Sequence, residues 1–290
     1  MGFNQPQIDP SSREEHRDFP LDGIDLEKVP NKQLVDLYST GPVLYSCGDS
    51  RLVRLSHTLV LKGGDSVHPC EAENMKFAAT YTQIRVPKVH RVFSSRLDGD
   101  YHDTWFIVMD YVLGCTVEDN WKVLSETTRD EVTSQVAGMV EQMQSISLNH
   151  MRPGPIGGGA PFQGPWFSDT CGNGSGPFDT LQEMEDWLNH KLDTRLRLWR
   201  NASGDTPRFE FKDTRMVFTH QDIAPRNLIL DPSGRLWLID WAYAGVYPEG
   251  FEQSAIPKQQ VRDDTFSKLV LSKLSCSYPK EDLQLEMVYG

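Results

Sequence analysis

The sequence predicts an α+β fold in two parts, a strand-rich antiparallel first part and a mainly helical second part that carries one β-hairpin. Three observations predict it. Between Val43 and Lys62, short β-rich runs alternate with tight turns. From Thr128 onward, apolar residues recur at helical rather than strand spacing. Between Met216 and Ile239, short apolar runs bracket a polar loop and then a turn. The chain has 290 residues, enough for one large domain or two lobes.

Taken in order, residues 1–30 are polar and Pro-rich and read as a flexible arm or a strap lying on the surface. Lys32 to Tyr38 suits a short helix. Val43-Leu44-Tyr45, Leu52 to Leu55 and Thr58 to Lys62 form a meander whose first turn is Ser46 to Ser50. Glu71 to Tyr81 is a helix with Met75, Ala78 and Ala79 on one face. Trp105 to Met109 is an apolar strand ending at Asp110-Tyr111-Val112-Leu113-Gly114. Thr128 and Glu131 make a capping box for a helix whose stripe is Val132, Val136, Met139, Val140 and Met143. A Gly/Pro-rich stretch from Pro153 to Gly164 follows, then Cys171 to Phe178. The GxGxG pattern in the latter follows no strand, so it is not a dinucleotide turn. Thr180 with Glu183 caps a second helix with the stripe Leu181, Met184, Leu188, Leu192 and Leu196. A last helix, about Lys258 to Leu274, packs Val261, Phe266, Leu269, Val270 and Leu274. No internal repeat is present.

The net charge of −12 argues against a nucleic-acid partner, which needs a basic face, and suits a cationic ligand. The five cysteines are odd in number and scattered, without metal-ligand spacing, and point to a reducing compartment. No signal peptide or membrane-length apolar run is visible, so a cytoplasmic location with no membrane partner is expected. Met1-Gly2 lacks the Ser or Thr that a myristoylation motif needs, because Pro6 stands there. Oligomeric state is not legible.

The chemistry concentrates in Phe218-Thr219-His220-Gln221-Asp222-Ile223-Ala224-Pro225-Arg226-Asn227-Leu228-Ile229-Leu230 and the following Leu236-Trp237-Leu238-Ile239-Asp240-Trp241. Asp231-Pro232-Ser233-Gly234 is a turn in the residues turns use. Singly, Asp222, Asn227 and Asp240 would each serve as caps or turn formers. Together, at neighbouring strand ends, they are oxygen donors suited to a hard cation carrying phosphates. The order His-x-Asp-x-x-x-x-Asn, apolar strand, Asp has the spacing of a phosphoryl-transfer catalytic loop with its metal-binding Asp.

These residues resemble the aminoglycoside phosphotransferase-like family of small-molecule kinases, particularly its fungal-type phosphotransferase branch. The wording Phe-Thr-His-x-Asp-x-x-Pro-Arg-Asn is similar to that family. So are Ile239-Asp240-Trp241, Ala244-Gly245-Val246-Tyr247-Pro248-Glu249, Ile84-Arg85-Val86-Pro87-Lys88-Val89 and Gly176-Pro177-Phe178. The resemblance implies a bilobal protein-kinase-like fold. Residues 1–111 would form the arm and nucleotide-binding N-lobe, an antiparallel sheet plus a helix. Residues 112–290 would form a helical C-lobe with the catalytic hairpin and acceptor site, the Gly-rich loops rimming the acceptor. It implies ATP and magnesium (Mg2+) as cofactors and a small hydroxylated acceptor. Asp222 would orient and deprotonate the acceptor hydroxyl, and Asn227 and Asp240 would hold the metal. Lys62, paired with Glu71, would steady the nucleotide phosphates. Glu73 competes for Lys62 but lies about 200° around the helix from Glu71. Met75 shares the face of Glu71, which favours Glu71. Asp110 and Val112 would contact adenine through main-chain groups. Arg226 would either neutralise phosphate charge or form an internal ion pair. His220 would brace the loop. The turn from Cys47 to Arg51 would cover the phosphates, although it lacks the GxGxxG pattern.

Other readings differ in class. A protein kinase would carry Asp-Phe-Gly where this chain has Asp240-Trp241-Ala242. A nucleotide-binding interaction protein could keep the fold without chemistry, and a related enzyme could have turned to another reaction on a natural product. Nucleotide binding followed by a turnover assay separates them.

Overall fold

The computed structural model describes residues 13, 15, 17–48, 50–97, 99, 101–158, 164–167, 175–198, 207–259 and 264–289. The chain divides into two compact units, one running to Lys76 and including Pro87–Leu113, the other comprising Phe77–Val86 and everything from Gly114. The expected loop residues Cys171 to Gly174, most of the arm before Arg17, and Val261 lie outside the described residues.

In the first unit, α1 (Asn31–Thr40) precedes the strands β1 (Val43–Cys47), β2 (Ser50–Arg54) and β3 (Leu59–Gly64). Helix α2 (Pro69–Tyr81) follows, with Pro69–Lys76 in this unit and its end from Phe77 in the other, then β4 (Val89–Arg96) and β5 (Asp103–Asp110). The five strands form one antiparallel sheet in the order β1-β2-β3-β5-β4. Successive residues of a strand face opposite sides. Phe106 and Val108 of β5 therefore join Leu34, Tyr38, Val53, Leu61 and Phe93 on one face, and Ile107 joins Val67 and Ala72 on the other. Gly63, which follows Lys62 on β3, leaves room for the first layer, since a Cβ there would fall 2.6 Å from the Phe106 ring. The arm is a strap with buried anchors, because Leu21 and Val29 belong to that same core. Helix α2 buries Ala72, Met75 and Ala78, but Ala79 points to solvent, one step too far round for the expected face.

The second unit starts with β6 (Cys115–Thr116), the short α3 (Val117–Asn120) and the long α4 (Glu126–Ser145). Helix α5 (Leu181–Leu198), β7 (Met216–Thr219), β8 (Leu228–Leu230), β9 (Leu236–Leu238) and β10 (Gly245–Pro248) follow. Helices α6 (Phe251–Ala255), α7 (Thr265–Lys273) and α8 (Pro279–Val288) complete it. Strands β8 and β9 make the expected hairpin, to which β6 adds. The strand β7 pairs instead with β10, so the polar loop runs from one sheet to another. Gly114 precedes β6 with φ +148°, and a Cβ there would lie 2.4 Å from the Leu230 carbonyl oxygen, so only glycine fits.

All five residues of the α4 stripe, Val132, Val136, Met139, Val140 and Met143, are buried as expected. The cap differs. Ser125 accepts the Thr128 N–H at 3.1 Å, so α4 begins one turn before the Thr128–Glu131 box. At α5, Thr180 accepts from the Glu183 N–H at 3.2 Å, while the Glu183 carboxylate reaches back to the Asp179 N–H at 2.8 Å. Lys258 lies in a 3-10 turn, Ile256–Gln259, so the last expected helix starts later, at Thr265. Among the described residues no helix is long and apolar enough to cross a membrane. Cys47, Cys70, Cys115 and Cys276 are free thiols, and burial raises that of Cys70 to about 11.

Ser125→Ala is expected to cost about 1 kcal/mol of stability, as lost N-caps do, and Thr128→Ala clearly less. Equal losses in urea melts of the two variants would place the start of α4 at Thr128 instead.

Candidate active site

Strand β7 ends at Thr219, and the next two main-chain N–H groups leave the ladder. Both are taken by one side chain. The Glu252 carboxylate on α6, fully buried, accepts the N–H of His220 and, at 3.1 Å, that of Gln221. Gln221 has φ +60°, a left-handed conformation that costs a non-glycine residue free energy and persists only where its surroundings enforce it. His220 is held on both nitrogens. Its Nε2 lies 3.1 Å from the Ile239 carbonyl, and its Nδ1 accepts the Asp222 N–H at 3.2 Å. Those partners define a neutral ring with the proton on Nε2. The ring also meets Trp241 edge-on at 4.6 Å. Both ring nitrogens are therefore engaged inside the loop.

Asp222 is 6% exposed, and both of its oxygens are occupied. Arg226 donates to Oδ1, and the Asn227 amide donates to Oδ2 at 2.7 Å and to the Asp222 carbonyl at 2.9 Å. The spacing of four residues to Arg226 and five to Asn227 works because Pro225–Asn227 is a 3-10 turn that folds both side chains back. Hairpin register then sets the third group. Leu228 faces Leu238, and the Ile239 N–H donates to the Asn227 carbonyl at 3.0 Å, so Asp240 follows one residue beyond the point where β9 meets Asn227. Asp240 also adopts a left-handed conformation, φ +63°.

Burial pushes the Asp222 carboxyl up to about 7; the Arg226 charge opposes this, and the Asp240 charge adds to it. Desolvation outweighs the ion pair here, as it does for charges removed from water. Arg226 forms the internal ion pair with Asp222, and it is fixed further by Gln259, whose carbonyl accepts at 2.7 Å.

The donor set fits a hard cation. With the Asn227 amide nitrogen committed to Asp222, its Oδ1 remains as an oxygen donor, and the charge of Asp240 acts on the same Asp222. Among the described residues no group of three His, Cys, Asp or Glu side chains forms a closed metal cage. An ion here would need oxygens from phosphates or water, which is the habit of magnesium.

In the first unit, Lys62 and Glu71 meet at 2.7 Å, with Glu71 almost wholly buried. Glu73 turns away and pairs with Lys76. Asp110 spends its carboxylate within the unit, accepting from the Lys88 N–H at 3.0 Å and lying 2.6 Å from the His90 Nε2. Its own N–H goes to the Lys88 carbonyl. Val112 makes no main-chain hydrogen bond among the described residues.

Glu252 and Gln259 were invisible to motif reasoning, since each lies about thirty residues beyond the loop it supports. One signal existed for Glu252, a carboxylate in Phe251-Glu252-Gln253-Ser254-Ala255-Ile256, where every residue is buried. Lone buried carboxylates need partners.

The fold is that of the protein-kinase-like phosphotransferases. The aminoglycoside phosphotransferase APH(4)-Ia superposes with a TM-score of 0.54 at 15% identity, over 89% of this chain and 87% of its own. The GDP complex of wild-type aminoglycoside 2'-phosphotransferase-IIIa gives 0.54 at 13%, over 85% and 80%. ADP-bound APH(2'')-Ib gives 0.52 at 18%, over 84% and 80%. No curated protein matches the chain by sequence. Residues 58–252, more than half of the chain, match the phosphotransferase enzyme family, and the chain belongs to it.

Burial drives the Glu252 carboxyl up to about 7 from 4.5, against the pull of the Gln221 and His220 N–H bonds and with a small push from Asp222. The folded protein therefore holds a proton that the unfolded chain releases. The stability that Glu252 contributes in this way is fully present below about pH 4.5 and is lost as pH rises through about 7. Asp222 adds a slope of the same sign. Glu252→Gln should flatten part of this decline in urea midpoints measured across that range, leaving the share of Asp222; an unchanged slope would count against the assignment.

Proposed function

We propose that the protein is an ATP-dependent phosphotransferase acting on a hydroxyl of a small molecule. Family membership supports phosphoryl transfer, and two of the solved aminoglycoside phosphotransferases it resembles are a GDP complex and an ADP-bound form. The observation that carries the reading is the bonded Asp222–Asn227 pair with the Asp240 charge felt at Asp222.

Asp222 is the general base. A carboxyl titrating near 7 is matched to the work, because proton acceptance is most effective when the pKa lies near the operating pH. Asn227 holds Asp222 in one rotamer through Oδ2, and Arg226 holds Oδ1. An acceptor hydroxyl approaching Asp222 gives its proton to one of these oxygens as it attacks the γ-phosphorus, and ADP leaves. Asn227 Oδ1 and Asp240 are the residues that would hold magnesium, which when bound neutralises charge on the β- and γ-phosphates. Lys62, kept in place by Glu71, bonds the nucleotide phosphates. The Asp110 carbonyl and Val112 N–H bond adenine, since the Asp110 side chain and N–H are already committed. The Arg226 charge, still bonded to Asp222, would also offset phosphate charge. Acceptors compatible with this chemistry are aminoglycosides, sugars, amino alcohols and hydroxylated secondary metabolites. The acidic balance of the chain favours a cationic one.

Asp222→Asn should lower ATP-dependent turnover by about 10²–10⁴-fold, the worth of a general base. Asp240→Ala should lower it at least as much, with circular dichroism and melting temperature kept. Undiminished turnover in both variants refutes the assignment. Stabilisation by ATP and magnesium in thermal shift without any turnover by the wild type would make the chain a binding protein.

A further inference from the structure

Arg54 is a charged side chain without a part in the chemistry above, yet it is only 3% exposed. Its guanidinium carbon lies 3.1 Å from the centre of the Tyr111 ring and 4.5 Å from that of Phe19. The rings flank a guanidinium whose Nε donates to the Ser56 carbonyl at 2.5 Å and whose Nη2 donates to the His57 carbonyl at 3.0 Å. A position over aromatic rings that also offers carbonyls to N–H groups suits arginine better than lysine.

Phe19 belongs to the N-terminal strap, and the strap is tied down at that point. Asp22 accepts the His57 N–H at 2.8 Å on Oδ1 and the Phe19 N–H at 2.7 Å on Oδ2, and the His57 Nδ1 lies 2.8 Å from the same Oδ1. The Leu21 N–H donates to the Leu55 carbonyl at 2.8 Å, and Leu21 is buried. On the other side of Arg54, the Tyr111 N–H donates to the Thr58 carbonyl at 2.8 Å. The turn from Arg54 to Thr58 is thus gripped by the strap from one side and by Tyr111 from the other.

We propose that the strap from Phe19 to Asp22 is a positioning element for nucleotide binding. It seats Arg54, and Arg54 fixes the ring of Tyr111, the residue between Asp110 and Val112. This inference rests on the reading that those two residues contact adenine. Tyr111 is held by its N–H and by its ring, so the chain on either side of it is placed before any ligand arrives. Pre-placing a binding segment removes an ordering cost that a ligand would otherwise bear. Without the strap, the Tyr111 ring loses its stacking partner's support, and the Asp110 carbonyl and Val112 N–H must be ordered on binding.

The test is calorimetric titration of the full chain with adenosine and, separately, with ATP plus magnesium. Phe19→Ala and Asp22→Ala should weaken both ligands by a similar factor, about fivefold or more, the scale of coupling between distant groups. Lys62→Met should weaken ATP while leaving adenosine unchanged. Val136→Ala, a core change in α4 outside the cluster that anchors the strap, should lower the melting temperature without changing adenosine affinity. Asp22 is partly exposed, so its variant folds even if loss of the Phe19 ring proves too damaging. Adenosine affinity in Phe19→Ala and Asp22→Ala equal to wild type overturns the proposal. So does a loss no larger than that in Val136→Ala. A wild type that binds neither ligand overturns the nucleotide reading itself, whereas a binding wild type with unaffected strap variants overturns only this inference.

Discussion

Two adjacent N–H groups at the end of β7 and one buried carboxylate decide how the loop from His220 to Asn227 is held. An unpaired buried N–H costs on the order of 1–3 kcal/mol, so His220 and Gln221 could not leave the ladder without a replacement acceptor. Glu252 supplies it for both. With those groups satisfied, Gln221 can remain left-handed and the chain can turn sharply enough to bring the Asp222 N–H to the His220 ring. His220 then ties the loop to Ile239, and Ile239 ties the hairpin to Asn227. The four links run in a closed circuit from α6 through the loop to β9, which is why a short polar loop can be buried without regular structure.

The circuit has an electrostatic consequence. Asp222, Asp240 and Glu252 gather negative charge in a poorly hydrated place, with Arg226 as the bonded countercharge on Asp222. Coulomb attraction to Arg226 is real, but burial dominates, and both Asp222 and Glu252 resist ionisation. The same resistance serves two ends. At Asp222 it gives a carboxyl that exchanges its proton near neutral pH, as the proposed base requires. At Glu252, which binds only main chain, it is simply the cost of an acceptor that must sit in the core.

Legibility in the sequence followed range. The helix stripes were readable because a period of 3.6 repeats over many residues, and every position of the α4 stripe is buried. Helix geometry showed that Glu71 and Glu73 cannot both face Lys62, the family resemblance and the face shared with Met75 chose Glu71, and the pairs Lys62–Glu71 and Lys76–Glu73 agree with that choice. The spacing of Asp222, Asn227 and Asp240 was readable because a short turn and a tight hairpin fix it locally. What depends on distant chain was not. The pairing of β7 with β10 skips the hairpin between them, and nothing in Met216–Thr219 names its partner. Arg226 could not be assigned, since Gln259, thirty-three residues on, settles where its guanidinium points. The capping-box pattern at Thr128–Glu131 placed the start of α4 one turn too late, because Ser125 caps the helix without the Glu or Gln three residues on that the pattern requires.

The left-handed residues show how these levels meet. Gln221 and Asp240 are the two non-glycine residues at positive φ among those described, and they stand one residue before the proposed base and at the proposed metal ligand. Such conformations cost of order 1–3 kcal/mol each and survive only where surrounding bonds outweigh them. At Gln221 the bonds are those from Glu252 and the one its carbonyl accepts from Gln259 at 3.0 Å. At Asp240 the flanks are fixed by the Ile239 N–H on Asn227 and by the Trp241 indole, which donates to the Leu238 carbonyl at 3.0 Å and stacks on Phe218. In both cases the functional residue is not the one that holds the strained backbone. The neighbours hold it, which leaves the carboxylates of Asp222 and Asp240 in geometries that the chain would not adopt for its own stability.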